Sequence, residues 1–97
     1  MLVVIPVDKS DIEEAKIVSI NKAKSFAFID TESGKIKDYQ FKDSFENEMF
    51  DYIIVNSKNE ELEDVFELGA RALLARENMY IEDIIEALMF AELDEIL

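Results

Sequence analysis

Apolar and polar residues alternate along this chain with two different spacings, and the first half is patterned for strands. Leu2–Val7 is an unbroken apolar run ended by Asp8, which is typical of a strand buried on both faces of a sheet. In residues 25–30 the apolar side chains alternate, with Phe26 and Phe28 on one face, which predicts a second strand. We therefore expect a central strand followed by a partner strand.

A turn and a third strand follow. Residues 31–35 include a glycine and predict a hairpin turn into a strand over Ile36–Lys42. The alternation changes parity between the first residue of this strand and the pair Tyr39 and Phe41, which predicts a β-bulge or an exposed edge. The strand region also carries three lysines, which fit an edge strand: Lys35, Lys37 and Lys42.

The second half begins with another strand and a short helix. Phe50–Val55 is a further apolar run and predicts a buried strand. Asn59 is placed to cap the helix that follows, and Gly69 is placed to end it. The apolar stripe of this helix comprises Leu62, Val65 and Phe66.

Two further segments complete the pattern. By propensity alone, the alanines, arginines and leucines of Ala70–Ala75 would continue the preceding helix. From Ile81 onward the helical spacing is clear, and Glu82 and Asp83 in the first turn favour the helix dipole. The apolar face of this helix comprises Ile81, Ile84, Ile85, Leu88 and Met89. Strands followed by strand–helix units predict an α/β protein with a mixed sheet packed by helices.

The charge is concentrated in one half of the chain. Residues 1–42 carry seven lysines and seven acidic residues, whereas residues 43–97 carry three basic and sixteen acidic residues, so the whole net charge of −13 lies in the second half. Such a surface repels nucleic acids and anionic membranes and attracts basic partners. We therefore expect a protein partner of basic character, no nucleic-acid ligand and no membrane partner.

The composition narrows the chemistry further. The chain has no cysteine and no histidine, which excludes disulfides, zinc–thiolate sites and protein-ligated iron–sulfur clusters and removes the commonest general base. Its 97 residues are enough for one domain spanning 1–97. No stretch approaches the roughly 20 apolar residues of a membrane span, and the opening run is too short for a signal peptide, so we expect a cytoplasmic protein.

Four segments carry a family resemblance: VVIPVD, SINKAKSFAFIDTESGKIKDYQF, FDYIIV and IEDIIEALMFAEL. In order and spacing they resemble the dinitrogenase iron–molybdenum cofactor biosynthesis family, which includes NifX, NifY and the C-terminal part of NifB. The resemblance covers nearly the whole chain. It implies a ribonuclease-H-like fold, with a five-stranded mixed sheet whose second strand is antiparallel and with two helices. On this basis Ala70–Ala75 is the fifth strand, against its helical propensity.

The chain departs from the family pattern in three places. The family pattern before the second strand is roughly Gly-His-Phe-Gly-Arg-Ala-x-x-Phe; here Asn21 and Lys22 stand at the second Gly and the Arg, and the histidine is lost. Only residues 43–49 separate the third and fourth strands, too few for the helix that the family has there. Asn56 and Asn59 replace a later pair of glycines, and since asparagine tolerates positive φ, we expect the backbone shape to persist.

The resemblance implies a pocket for an iron–molybdenum-type cluster at the ends of the first and fourth strands. Lysine side chains and the N–H groups at the helix start after Asn59 could converge there on an anion. Glu60 and Glu61 oppose this, because they stand in the predicted first turn of the helix. The candidate cofactor-binding residues are Asn21, Lys22, Lys24, Asn56, Ser57, Lys58 and Asn59.

Three functions follow from these features. The first is a non-enzymatic binding or accessory module that has lost the family's cofactor ligands, whose acidic helices attract a basic protein and whose exposed Tyr39 and Phe41 offer an edge for a homodimer. The alternative is a carrier of an anionic metal cofactor in cofactor assembly.

The third function is a two-metal nuclease built from Asp8, Asp30 and Asp51. Asp30 stands on the predicted antiparallel strand, and Asp51 begins its strand whereas Asp8 ends one. These carboxylates should therefore lie apart, and a chain of charge −13 repels a polyanionic substrate. We expect no enzymatic activity.

Overall fold

A six-stranded mixed sheet is the framework of the computed structural model, which describes all of residues 1–97. The strands run in the spatial order β3-β2-β1-β4-β5-β6. Strand β2 runs antiparallel to β1, and β1, β4 and β5 are parallel. The predicted α/β class with an antiparallel second strand and two α-helices is confirmed. The elements are β1 (Leu2–Val7), a 3₁₀ helix (Ile20–Lys22), β2 (Ser25–Glu32), β3 (Lys35–Lys42), β4 (Tyr52–Val55), α1 (Glu63–Glu67), β5 (Arg71–Leu74), α2 (Ile81–Met89) and β6 (Asp94–Ile96).

Strand β1 lies in the middle of the sheet and is buried on both faces, as its unbroken apolar run predicts. Alternate residues point to opposite faces of a strand. Val3, Ile5 and Val7 join the core beneath α2, whereas Val4 joins the core beneath α1. The sheet therefore separates two hydrophobic cores.

Strand β2 also places alternate side chains in the two cores. Ala27 and Ile29 are buried in the core beneath α2, and Phe26 and Phe28 are buried in the core beneath α1. The alternation predicted for residues 25–30 is therefore confirmed.

The β2–β3 hairpin closes through two residues. Ser33 and Gly34 have φ angles of 54° and 77°, which is the pattern of a type I′ turn. A Cβ at Gly34 would meet the flexible, half-exposed Met89 side chain of α2, which would have to move, so it is the positive φ that favours glycine in this turn. The β2–β3 register shifts by one residue, which leaves Lys37 as the extra residue of a bulge. The predicted bulge and the position of β3 at the sheet edge are confirmed.

Within the segment predicted as the fifth strand, residues 71–74 form a strand despite their helical propensity. Strand β5 pairs in parallel with β4 and buries Ala72 and Leu73 in opposite cores. The change from helix to strand occurs at Gly69, whose φ is 83°. The Gly69 N–H donates to the Phe66 carbonyl at 3.0 Å and the Ala70 N–H to the Val65 carbonyl at 3.2 Å, which together form a Schellman motif. The predicted helix stop at Gly69 is confirmed.

The predicted start of α1 is wrong. The helix begins at Glu63 after Leu62, not after Asn59, and no side chain caps it. Leu62 is buried, whereas the Asn59 N–H donates to the Ser57 hydroxyl at 3.1 Å in a separate turn. The chain therefore uses residues 56–61 to reach the core before the helix starts. Phe66, predicted to be in the apolar stripe, is 45% exposed.

A sixth strand was not predicted. Helix α2 ends at Met89, and β6 pairs antiparallel with β5. The reversal passes through Ala91 (φ 55°), whose N–H donates to the Leu88 carbonyl at 3.1 Å, while the Glu92 N–H donates to the Ala87 carbonyl at 2.9 Å. This second Schellman motif has alanine at the position where glycine is preferred, so no glycine in the sequence predicts it.

The two helix ends make a paired stability prediction. Gly69→Ala should lower the free energy of unfolding by about 1 kcal/mol, because a Cβ there meets nothing within 4 Å and only the left-handed backbone is penalised. Ala91→Gly should raise it by a similar amount, since it relieves the same strain. Urea denaturation measures both, and changes of the same sign would contradict this account.

Candidate functional site

The segment that links β1 to β2 is held by its own backbone. Its central turn is the 3₁₀ helix, where the Lys22 N–H donates to the Ser19 carbonyl at 3.0 Å and the Ser19 hydroxyl donates to Asn21 Oδ1 at 2.9 Å. The Lys24 N–H donates to the Val7 carbonyl at 2.9 Å, which fixes the segment at the end of β1. These donors are therefore satisfied within the chain.

Glu60, which lies between β4 and α1, anchors the segment that links β1 to β2. The Ile20 N–H, at the start of the 3₁₀ helix, donates to Glu60 Oε2 at 3.0 Å. Both residues are half-buried. Because β1 and β4 are parallel neighbours, the segments that follow them meet at the same end of the sheet, as the sequence predicted. The contact itself was not predicted, since Glu60 was placed in the first turn of a helix.

A surface cleft of about 520 Å³ lies beside this contact, and we call it the acidic cleft. Ile20, Phe26 and Phe45 are its apolar residues, and all four of its charged residues are carboxylates. Of the seven candidate cofactor-binding residues, it includes only Asn21 and Asn59. The full lining comprises Ile20, Asn21, Phe26, Ser44, Phe45, Glu46, Asn59, Glu60, Glu61 and Asp64.

The three candidate lysines lie outside the acidic cleft. Lys22, Lys24 and Lys58 are exposed, and none of them forms an ion pair. Asn56 and Ser57 follow β4 and are half-buried, but they do not line the cleft either. The structure thus brings the two loops together without gathering their positive charge in the cleft. The binding role of these residues stays a prediction.

Two details of the predicted anion pocket are wrong. Asn56 and Asn59 have no positive φ, so they do not use the conformation for which asparagine was expected to stand in for glycine. Their turn is instead closed by the Ser57 hydroxyl. Helix α1 has five residues, and Glu63 and Asp64 occupy its first turn. Its start therefore offers no free positive end to an anion.

The connection between β3 and β4 forms one wall of the acidic cleft. It contains no helix, as its length predicted. Phe45 from this connection is buried and packs edge-to-face on Phe26, with ring centroids 5.4 Å apart, and on Phe50, with centroids 6.0 Å apart. Phe45 therefore covers part of this face of the sheet from a loop.

The three aspartates proposed for a nuclease do not converge. Asp30 lies opposite Leu2 at the start of β1, and Asp51 accepts the Leu2 N–H at 2.8 Å. Asp8 follows the other end of β1 and accepts the Lys16 N–H at 2.9 Å. A six-residue strand is roughly 20 Å long, whereas two catalytic metal ions lie about 4 Å apart. These carboxylates therefore cannot share one metal centre.

The residues at this end of the sheet do not fit an iron–molybdenum-type cluster. Such a cluster is held by thiolate or imidazole ligands, and the chain has no cysteine and no histidine. The acidic cleft adds carboxylates, which repel an anion. No group of three or more acidic residues is arranged to hold a metal ion.

The fold has clear counterparts among solved structures. The protein PH0822 superposes with a TM-score of 0.78 at 16% identity, covering 98% of this chain and 96% of that one. A candidate dinitrogenase of Methanocaldococcus jannaschii gives a TM-score of 0.75 at 20% identity, covering 99% of this chain and 94% of that one. A candidate NifB protein of Thermotoga gives 0.71 at 19% identity, covering 97% and 91%.

The chain has the fold of NifB-like proteins. The predicted resemblance is therefore confirmed at the level of the fold, over nearly the whole chain. No protein-family model matches the sequence. No curated protein matches it closely. The structure contains no helix with the length and hydropathy to cross a membrane.

The Glu60 contact can be tested by its removal. Glu60→Ala should lower the free energy of unfolding by about 1–2 kcal/mol, because the half-buried Ile20 N–H loses a charged acceptor. It should also speed hydrogen exchange at the Ile20 amide. Glu61→Ala is the matched control, since Glu61 is exposed and makes no such bond. Equal effects of the two substitutions would show that the contact does not hold the segment.

Proposed function

We propose that this chain is a non-enzymatic accessory module of metal-cofactor assembly that acts by binding a protein partner. The observation that carries the proposal is the pairing of a NifB-like fold over nearly the whole chain with a cleft lined by carboxylates at the end of the sheet where the family resemblance implies an anion pocket. The NifB-like fold supports a role in metal-cofactor assembly. The carboxylate lining of the cleft supports a protein partner rather than an anionic cofactor as the ligand.

The sheet order supports a ribonuclease-H-like arrangement as the architecture of this module. Strands β3-β2-β1-β4-β5 form a five-stranded mixed part of the sheet in which β2 is the antiparallel member, and the family resemblance implies the same strand number and direction. Strand β6 is then an addition of three residues at the far edge.

Carriage of an anionic cluster, the alternative that the resemblance implies, is less well supported. Lys22, Lys24 and Lys58 are exposed and lie outside the cleft. Glu60, which does line it, holds the neighbouring turn through the Ile20 N–H. Glu60 therefore has a structural contact that a bound anion would have to disturb.

The charge distribution supports a basic partner. Glu46, Glu61 and Asp64 line the acidic cleft, and Glu67 continues the negative surface into a second cleft of about 390 Å³. None of these carboxylates is paired with a lysine or arginine of the chain. A basic segment that also carries an apolar residue would complement both the carboxylates and the exposed parts of the apolar residues that line the acidic cleft. Long-range attraction of this kind raises association rates and weakens with salt.

Charge reversal in the cleft tests this proposal. We expect the parent protein to recover a basic partner from lysate of its host at low salt and to release it at high salt. Glu46→Lys with Glu61→Lys should lower recovery of that partner at least about 10-fold, through loss of steering and contact charge. Chemical cross-linking with mass spectrometry identifies the partner and the residues that touch it.

Glu77→Lys with Glu92→Lys is the matched control, because these exposed carboxylates lie outside both clefts and the net charge changes by the same amount. The control should recover the partner as the parent does. Equal loss in both double variants would point to net charge rather than the cleft. Recovery of no protein by the parent would contradict partner binding.

A further inference from the structure

The outer edge of β3 is the long open edge of the sheet. Strand β3 has eight residues and stands at one end of the strand order, whereas β6 at the other end has three. Most of β3 is exposed. An unpaired edge of this length is a template for another strand unless side chains protect it.

The hydrogen bonds show which residues of β3 point outward. The Tyr39 N–H donates to its neighbour Asp38 Oδ1 at 2.8 Å rather than to β2. Backbone groups of an antiparallel strand alternate between its two neighbours. Tyr39 and Phe41 therefore present their N–H and C=O groups to the open edge, and Gln40 presents its groups to β2.

We propose that β3 pairs with β3 of a second copy of this chain, antiparallel about a two-fold axis at Gln40, so that two sheets become one. In this register Tyr39 lies opposite the partner's Phe41. The outward-pointing backbone N–H and C=O groups of one copy therefore pair with those of the other. Asp38 lies opposite the partner's Lys42. The two-fold axis generates each contact twice.

The charged side chains of β3 favour this register over the two neighbouring registers. Moving the axis to Asp38 would place two Asp38 carboxylates opposite each other, and moving it to Tyr39 would place Asp38 opposite a glutamine. Opposite charges directly across a pair of strands stabilise it, and like charges destabilise it. Only the axis at Gln40 among these three gives two complementary ion pairs.

Aromatic side chains add to the contact. Tyr39 is 45% exposed, and its ring packs edge-to-face on the half-buried Phe41 ring with centroids 5.9 Å apart. Both residues pair with β2 residues of the core beneath α2, so the two rings lie on that face of the sheet. The dimer would bring two such pairs together across the axis.

The single chain protects the same edge with the same residues. Asp38 caps the Tyr39 N–H, and Lys42 forms an ion pair with Glu48. The bulge at Lys37 limits the length of regular edge. Pairing exchanges these contacts for contacts between copies, so the dimer is reversible and its population rises with protein concentration. This proposal is independent of the proposed function.

Charge exchange across the axis tests the register. Sedimentation velocity of the full chain over a range of concentrations should show a monomer–dimer equilibrium. Asp38→Lys alone and Lys42→Asp alone should each raise the dimer dissociation constant about 10-fold or more, because each creates like-charge pairs. An equimolar mixture of the two variants should restore the dimer, and so should the double variant Asp38→Lys with Lys42→Asp.

Glu77→Lys is the matched control, since it changes the charge by the same amount as Asp38→Lys at an exposed position outside β3, and it should leave the dissociation constant unchanged. Hydrogen exchange of the parent needs no variant: protection of the Phe41 amide should rise with protein concentration. A parent that stays monomeric, single variants that dimerise like the parent, or failure of both rescues would each overturn the proposal. Protection at Phe41 that does not depend on concentration would overturn it as well.

Discussion

Burial of β1 on both faces is the constraint on which the rest of the structure depends. Val3, Ile5 and Val7 fill one core and Val4 the other, and removing each such side chain from water contributes roughly 1.5–3 kcal/mol. Both faces of the sheet must therefore be covered. Helix α2, with nine residues, covers one face. The other face is covered by the five-residue α1 together with loop residues that include Leu62 and Phe45, and the acidic cleft lies beside them.

The same constraint explains what the sequence predicts well. The apolar run of β1 and the alternation in β2 are local patterns that survive folding because each side chain goes to the face its position dictates. Strand β5 needed more than propensity. Its alanines and leucines favour a helix in isolation, but pairing with β4 and burial in both cores outweigh that preference. The family resemblance supplied this tertiary information, and Gly69 supplied the break.

Other features depend on contacts that no local pattern records. Strand β6 is short and mostly acidic, and it exists because the chain reverses at Ala91 and meets the free edge of β5. Glu60 was predicted at a helix start, but it lies before that start and accepts the Ile20 N–H from 40 residues away. In the candidate site, the meeting of the two loops followed from parallel strands and was predictable. The carboxylate lining of the cleft was not, since it depends on the short start of α1 and the fold of residues 43–49.

The structure has a NifB-like fold in which Glu60 holds the segment after β1, and we propose that the carboxylates beside it serve a protein partner rather than an anionic cluster. The most direct test is native mass spectrometry of the protein purified anaerobically from its own host, with elemental analysis for iron and molybdenum. The account predicts the mass of the bare polypeptide, alone or with a protein partner or a second copy, and iron and molybdenum far below one atom per chain. A stoichiometric adduct that contains either metal would contradict it.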